Sequence, residues 1–107
     1  YNAHITAPGL VLPSVAPGRT HVWHQYSLRV TGAFPLSRDE LMAYLREHGI
    51  GCAVHYPIAL SRQPFYAGAV ACPVAESLAA SVLSIPVHPG VTDEGRAHVC
   101  ETINGVV

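Results

Sequence analysis

Hydrophobic and polar residues alternate from His21 to Val30, in the segment HVWHQYSLRV. Such alternation places every second side chain on the same face of a strand, so that one face can be buried while the other meets water. The predicted inner face comprises Val22, His24, Tyr26, Leu28 and Val30, and the outer face Trp23, Gln25, Ser27 and Arg29. The segment His21–Val30 is therefore predicted to be a half-buried strand.

A helix is indicated at both of its ends between Ser37 and Gly49. Ser37 and Glu40 have the spacing of a capping box, in which each side chain accepts a hydrogen bond from a backbone N–H at the start of the helix. Gly49 can adopt the left-handed conformation that commonly ends a helix. The helix is predicted to run from Arg38 to about His48. Its inward-facing positions, spaced as one face of a helix, are Leu41, Tyr44, Leu45 and His48.

The segments on either side of this helix are less regular. Residues 1–20 are interrupted by prolines and glycines, so this opening segment can hold only a short extended piece at Leu10–Leu12. Gly51–Tyr56 is predicted to be a second strand. Pro57–Cys72 lacks any sustained period and is predicted to be a long irregular loop, a kind of segment that is often functional.

Two further helices and a short strand are predicted in the last third of the chain. Pro73 suits the first position of a helix that continues to Val82, and Leu83–Ile85 can add a brief strand. Thr92 is an N-cap for a final helix, whose first turn is acidic, as the helix dipole favours. The predicted inner edge of that helix is Ala97, Cys100 and Ile103.

The order of these elements defines the expected fold class. Residues 1–107 are predicted to form a single domain, with 1–20 as the opening segment and 21–107 as the folded body. The order is strand, helix, strand, loop, helix, short strand and helix, with no internal repeat, and it predicts an α+β fold. We expect a small two-layer domain in which a short mixed or antiparallel sheet of about three strands packs against helices.

The composition narrows the possible partners. Half of the residues are hydrophobic, 12% are charged and the net charge is −1, which argues against disorder and leaves no basic field for nucleic acid. No apolar run approaches the roughly 20 residues of a membrane span. We therefore expect neither nucleic acid nor a membrane as a partner. The apolar composition suggests that much of the surface meets another surface, although an ordinary apolar domain fits equally well.

Three residue types bear on compartment and completeness. The three cysteines show no C-x-x-C spacing and no secretory segment is recognisable, so a reduced, cytoplasmic chain is expected. The sequence contains no lysine, and its single methionine, Met42, lies inside the predicted helix. These features suggest a piece of a longer protein, the alternative being that a start codon or tag was simply not included.

The residue spacings offer little chemistry within the chain itself. Cys52 and His55 have a C-x-x-H spacing, but residues three apart on a strand point to opposite faces, so no metal site is predicted. A cysteine nucleophile would need a histidine and an orienting carboxylate or carboxamide, and no such set is apparent. Asp39 and Asp93 are already explained as residues that start helices. No catalytic residue is predicted in this chain.

The strongest candidate site is His55-Tyr56-Pro57, where the second predicted strand enters the long loop. His55 and Tyr56 supply hydrogen-bond donors suited to phosphate or sugar hydroxyls. Because successive strand residues face opposite ways, both can serve one pocket only if the strand breaks between them. Hydrogen bonds from both residues to nearby backbone are an equally good explanation. Arg29, on the outer face of the first strand, could bind a phosphate or pair with a glutamate on a helix.

Five segments in order resemble a known family, namely HVWHQYSLRV, RDELMAYLREHGI, HYP, QPFY and AESLAASVLSIPVHPGVTDE. They are similar to the C-terminal small domain of the nucleotide-sugar aminotransferases of the DegT/StrS family, pyridoxal-phosphate enzymes of fold type I. The resemblance implies a domain that packs against a large cofactor-binding domain, within a homodimer whose active sites lie near the subunit boundary. It also implies that His55 and Tyr56 border the nucleotide-sugar pocket.

The chain departs from this family pattern in two places. The family often has a second histidine after the H-Y-P segment, where this chain has Ser61, and it binds pyridoxal phosphate covalently through a lysine, which this chain lacks. The isolated chain is therefore expected to bind no cofactor and to be inactive alone, whether its parent is an aminotransferase or one of the family's dehydratases. A free-standing ligand-binding or regulatory α+β module remains the alternative.

Overall fold

The computed structural model describes residues 1–66 and 70–107. Residues 67–69 belong to the predicted loop Pro57–Cys72 and lie outside the described residues. The described elements are, in order, β1 (Leu10–Val11), β2 (Tyr26–Val30), α1 (Arg38–Glu47), two single-turn 3-10 helices (Leu60–Arg62 and Pro64–Tyr66), α2 (Pro73–Ser81), β3 (Val82–Ile85) and α3 (Asp93–Asn104).

The strands of the described residues form one antiparallel sheet in the order β1-β2-β3. In its central ladder Tyr26 is opposite Ile85, Ser27 opposite Ser84 and Leu28 opposite Leu83. A single bridge joins Ala53 to Ser84 on the other side of β3. The expected small α+β domain with a short sheet of about three strands is therefore confirmed.

The core lies on one face of this sheet. Alternate residues of β2 and β3 point to it, and α1 and α3 contribute the side chains that cover it. The fully buried residues are Leu28, Leu41, Leu45, Leu83 and Ile103, and Tyr26, Val30, Ile85 and Val99 are nearly so. The alternation in the sequence from Tyr26 to Val30 reflects this burial directly. The opposite face of the sheet is left for polar side chains.

Helix α1 begins and ends as its sequence predicts. The Ser37 hydroxyl accepts from the Glu40 N–H at 3.3 Å, and the Glu40 carboxylate accepts from the Ser37 N–H at 2.7 Å. At the other end, Gly49 has φ +74°, and the N–H groups of Gly49 and Ile50 donate to the carbonyls of Arg46 and Leu45, as in a Schellman motif. His48 is the C-cap and is exposed, so its predicted place in the inner stripe is wrong.

The first predicted strand begins later than its alternation suggests. β2 starts at Tyr26 rather than His21, and Val22, which was predicted to face inward, is 90% exposed. The reason is local. The Trp23 N–H donates to His21 Nδ1 at 2.8 Å and Trp23 has φ +51°, so a side-chain hydrogen bond replaces the strand ladder there.

The second predicted strand, Gly51–Tyr56, is also wrong as a strand. Only Ala53 pairs with β3, through two backbone hydrogen bonds to Ser84 of 3.0 and 2.8 Å. β3 offers a short ladder because α2 ends at the residue before it and Pro86, which has no N–H to donate, follows it. The segment therefore lies beside the sheet edge without joining it over its full length.

The remaining elements agree closely with expectation. β1 occupies the extended piece at Leu10–Val11, α2 ends at Ser81, one residue earlier than predicted, and α3 is capped by the Thr92 hydroxyl. Cys100 and Ile103 are buried as predicted, whereas Ala97 is exposed. Within residues 1–66 and 70–107, no helix has the length and hydrophobicity of a membrane span.

Candidate functional site

The face of the sheet opposite the core carries a row of polar side chains. Gln25 precedes β2, Ser27 lies within it, Ser84 lies in β3, and His55 follows the segment that is bridged to β3 through Ala53. Strand alternation places Gln25, Ser27 and Ser84 on the outer face because their neighbours Tyr26, Leu28, Leu83 and Ile85 point into the core. The bridge at Ala53 brings His55 beside them. Three separate stretches of sequence thus meet on one surface.

A chain of hydrogen bonds links these four side chains. The Ser27 and Ser84 hydroxyl oxygens are 2.8 Å apart, and the Ser84 hydroxyl lies 3.5 Å from Gln25 Oε1. Gln25 Nε2 is 3.0 Å from His55 Nδ1. We call this set Ser27-Ser84-Gln25-His55 the polar relay. His55, which is an exposed residue, is therefore held by a side chain that immediately precedes the central strand β2.

His55 and Tyr56, the two predicted site residues at the head of the loop, lie together. Both are exposed, Tyr56 to 76%, and their rings meet edge to face with centroids 5.8 Å apart. The peptide bond between them is cis. His55 borders two grooves. The first, of about 280 Å³, also includes His24, Gln25 and Ser84 in its lining. The second, of about 340 Å³, is lined by Tyr56, Leu60, Leu78 and Val82 among others.

Arg29, the third predicted site residue, lies on the same face but farther along β2. It is opposite Val82 in the ladder and is exposed. It borders a third groove, of about 330 Å³, which shares Leu78 and Val82 with the second groove. Among the described residues, Arg29 forms no ion pair with a carboxylate. His55 and Tyr56 thus lie together, whereas Arg29 borders a different groove, which has Leu78 and Val82 in common with the second groove.

The surface around the second groove is strongly apolar. Large hydrophobic side chains are exposed along the segment that follows His55 and continues into α2. They are Tyr56, Ile58, Leu60, Phe65, Tyr66, Val70, Val74 and Leu78. A run of exposed apolar residues on this scale is typical of a surface that another protein surface covers. We call it the apolar apron.

Glu76 organises the base of this apron. Its carboxylate accepts hydrogen bonds from the Ser61 hydroxyl at 3.0 Å, the Arg62 guanidinium at 2.8 Å and the Cys72 N–H at 3.0 Å. The hydrogen bond from Arg62, with those from Cys72 and Ser61, lowers the pKa of this carboxyl to about 2. Ser61, which the sequence resemblance singled out as a departure, therefore bonds to a residue of α2.

Sequence reasoning missed Gln25, Ser84 and Glu76. The outer-face position of Gln25 was visible in the alternation, but its pairing with His55 depends on a contact across 30 residues of sequence. Ser84 was included in a brief strand without a role. Glu76 was assigned only to a helix. Nothing in the sequence around Ser61 or Cys72 indicates that either residue donates a hydrogen bond to the Glu76 side chain.

The residues that the structure describes hold no cluster of metal ligands, and the sequence has no lysine for a covalently held cofactor. Among the described residues, no three histidine, cysteine, aspartate or glutamate side chains come close enough to hold a metal ion. All six basic residues other than histidine are arginines, so no lysine amine is available for covalent attachment of pyridoxal phosphate. The chain offers hydrogen-bond donors and aromatic surface, which are groups that bind a ligand.

The fold of this chain is similar to one part of longer proteins of known structure. It superposes on Streptomyces venezuelae DesV, solved in complex with a ketimine intermediate, with TM-score 0.83 and 32% identity, over 97% of this chain and 28% of that one. Sugar aminotransferase CalS13 from Micromonospora echinospora matches with TM-score 0.83 and 26% identity, over 98% of this chain and 27% of that one. Both structures contain this fold as one part of a longer polypeptide.

The family follows from the sequence match. The model of the DegT/DnrJ/EryC1/StrS aminotransferase family matches residues 3–104, and the chain belongs to this family. It is 34% identical to the UDP-N-acetyl-3-dehydro-alpha-D-glucosamine 3-aminotransferase of Acidithiobacillus ferrooxidans, over 96% of the chain and 27% of that protein. It is 39% identical to a pleiotropic regulatory protein of Geobacillus stearothermophilus, over 88% and 25%. The resemblance predicted from the sequence is confirmed, and the chain spans about a quarter of these relatives' length.

Proposed function

We propose that this chain is the C-terminal small domain of a pyridoxal-phosphate-dependent nucleotide-sugar aminotransferase, and that it forms part of the nucleotide-sugar pocket. Family membership and the transaminase names of several relatives support this proposal. Those names specify UDP-linked and dTDP-linked sugars for the relatives. For this chain we propose the shared class, a sugar attached to a nucleoside diphosphate.

The observation that carries the proposal is the position of His55 at the junction of two grooves. Its Nδ1 is engaged by Gln25 and the remainder of the ring is exposed, with Tyr56 edge to face beside it. A ring nitrogen and a phenol hydroxyl so placed can bind phosphate or sugar oxygens. Arg29 borders the neighbouring groove, which has Leu78 and Val82 in common with the second groove, and it provides a guanidinium suited to a diphosphate.

The parent enzyme would supply what this chain lacks. Pyridoxal phosphate provides the electron sink for amino transfer. Since this chain has no lysine, we assign the covalent attachment of pyridoxal phosphate to a large domain elsewhere in the polypeptide. We propose that the apolar apron packs against that large domain or its dimer partner, which would complete the pocket around His55 and Tyr56. A cytoplasmic homodimer is the proposed assembly.

The test is His55→Ala in the full-length enzyme, assayed with UDP-sugar and dTDP-sugar substrates. Loss of a hydrogen bond to a charged phosphate should raise KM about tenfold or more. Because His55 is exposed, the same change should shift the unfolding free energy of the 107-residue chain by less than about 0.5 kcal/mol. His4→Ala is the matched control, since His4 is an exposed histidine beside α3.

The kinetics and the stability together distinguish a ligand-binding role of His55 from a structural one. Raised KM in His55→Ala but not in His4→Ala supports the pocket. Large destabilisation of the chain with unchanged kinetics would identify His55 as a structural residue, and its role in the pocket would be withdrawn.

A second candidate function is a free-standing ligand-binding or regulatory module. It is favoured by the names of two relatives, a pleiotropic regulatory protein and an erythromycin biosynthesis sensory transduction protein. The reading frame upstream of Tyr1 distinguishes the two functions. A continuous frame encoding a lysine-bearing large domain supports the enzyme, and a stop codon supports the module.

A further inference from the structure

The polar relay can fix more than the position of His55. We propose that Gln25, oriented by Ser84, is a positioning residue that sets the tautomer of His55, so that the ring proton sits on Nε2 and this N–H is the donor presented to the ligand. The role of Nε2 towards a ligand rests on the proposed function. The tautomer itself follows from this chain alone.

Ser84 has a well-defined backbone position. Its backbone N–H and carbonyl both bond to Ala53, at 2.8 and 3.0 Å, and its neighbours Leu83 and Ile85 are buried. Its hydroxyl therefore occupies a fixed place between Ser27 and Gln25. In the structure it is Gln25 Oε1 that faces this hydroxyl, and an amide oxygen can only accept, so Ser84 donates to Gln25 and Ser27 in turn donates to Ser84.

The amide of Gln25 presents a different group to each of its two neighbours. With Oε1 towards Ser84, the NH₂ group lies towards His55, and Nε2 is 3.0 Å from His55 Nδ1. An amide nitrogen can only donate, so Nδ1 must be the acceptor and carries no proton. A neutral imidazole has one proton, which then resides on Nε2. The opposite tautomer would bring two N–H groups together.

The consequence is a defined polarity at the site. An Nε2–H group donates to a phosphate or hydroxyl oxygen, whereas a bare Nε2 would repel a phosphate oxygen. Sequence supplies the components on three segments, and only the fold joins them. Glutamine suits the half-buried position 25 because the relay needs a side chain that both donates and accepts. Its amide can bond to an acceptor at one end and a donor at the other.

The decisive variant is Gln25→Glu, which has nearly the same shape but accepts at both oxygens. A carboxylate facing Nδ1 requires a proton there, so Nδ1 should change from a bare to a protonated nitrogen. The measurement is a long-range ¹H–¹⁵N spectrum of the 107-residue chain labelled at histidine. It is recorded on the alkaline side of the titration and assigned by the signal lost in His55→Ala. Gln25→Leu, which removes both partners, should give a mixture of tautomers.

Gln63→Glu is the control. It makes the same chemical change on the same loop side of the domain, at a residue outside the relay, and should leave the His55 signals as in wild type. If Nδ1 of His55 is protonated in the wild type, or stays unprotonated in Gln25→Glu, the inference is overturned.

Kinetics of the full-length enzyme separate this inference from the proposed function. Gln25→Glu should raise KM for the UDP-sugar or dTDP-sugar about tenfold while leaving kcat within twofold, and Gln63→Glu should change neither. If the spectrum shows the tautomer change but KM does not move, the relay stands and the ligand role of His55 falls. If KM rises without any tautomer change, Gln25 acts by another route and the relay is rejected.

Discussion

Arg62 and Glu76 are joined by a hydrogen-bonded ion pair of 2.8 Å that ties the first 3-10 turn to α2. The Glu76 carboxylate also accepts a hydrogen bond from the Cys72 N–H. One side chain therefore binds both Arg62, near the start of the loop, and Cys72, at its end. Glu76 is the better shielded partner, with 21% of its side chain exposed against 63% for Arg62. The geometry of the apolar apron therefore depends on one carboxylate.

We expect Glu76→Gln to destabilise the chain at neutral pH, by an amount that shrinks in acid. The pKa of Glu76 is lowered from 4.5 to about 2, so the folded state keeps this carboxyl ionised where the unfolded state would protonate it. Its contribution is complete above about pH 4.5 and is lost as the pH falls towards about 2. Denaturation midpoints of wild type and variant across this range should converge. Glu47→Gln, at an exposed carboxylate, is the control and should show no such convergence.

Gly49→Ala should cost about 1–2 kcal/mol, because an L-residue pays this amount in the left-handed conformation. Gly49 has φ +74° and nothing within 4 Å of an added Cβ, so conformation alone is tested. Gly51 also has open space around it but lacks the positive φ. Gly51→Ala should therefore stay within about 0.5 kcal/mol. Equal effects of the two changes in chemical denaturation would show that the Schellman ending is not what stabilises α1.

Ser37→Ala should lower the unfolding free energy by about 1 kcal/mol through loss of the N-cap. The Ser37 hydroxyl accepts from Glu40 N, and its loss leaves that N–H to water. Ser14→Ala, at an exposed serine of the opening segment, should be neutral. An unchanged urea midpoint in Ser37→Ala would contradict the cap.

Arg38→Met should be more costly, by about 2 kcal/mol, because Arg38 is a buried charged donor. Only 8% of the residue is exposed, and its Nη1 donates to the carbonyls of Ala79 and Val82 at 3.1 and 3.2 Å. These bonds link the start of α1 to the junction of α2 and β3. Arg46→Met removes an exposed arginine with one long bond of 3.4 Å and should cost less than about 0.5 kcal/mol. Comparable losses in thermal denaturation would reject the special role of Arg38.

Pyridoxal phosphate should form no stable bond to a side chain of this chain. The chain has no lysine amine to supply. The measurement is mass spectrometry after mixing with pyridoxal phosphate and reducing with borohydride, with a lysine-containing protein as the positive control. Modification of the N-terminal amine alone agrees with the prediction. A stoichiometric adduct on any side chain would contradict it.

Features that depend on neighbouring residues could be predicted from the sequence. The capping box at Ser37 and the ending at Gly49 involve contacts three to five positions apart, and both are present as predicted. The start of β2 could not be predicted, because the alternation continues through Trp23 while a local hydrogen bond to His21 diverts the backbone. The alternation of hydrophobic and polar residues indicates which side chains could face inward. It does not indicate which residues have a neighbouring strand to pair with.

The candidate site was predictable in part for the same reason. His55 and Tyr56 were predicted as site residues from their position before a long loop, and in the structure their rings meet edge to face. Their partner Gln25 could not, since its contact with His55 exists only after β2 and β3 pair. Arg29 had an outward position in the pattern and has one in the structure, but the groove it borders is a property of the assembled sheet.

The pairing of β2 with β3 has a consequence for how this domain can change over evolution. Ser27 and Ser84 meet although 57 positions separate them, so α1, the loop and α2 together form the connection that must close before the central ladder exists. Closing so long a connection is intrinsically slow. Its entropic cost, however, rises only logarithmically, and even doubling its length would cost about 0.6 kcal/mol. The entropy of closing this connection therefore places little limit on the length of the stretch between Pro57 and Cys72.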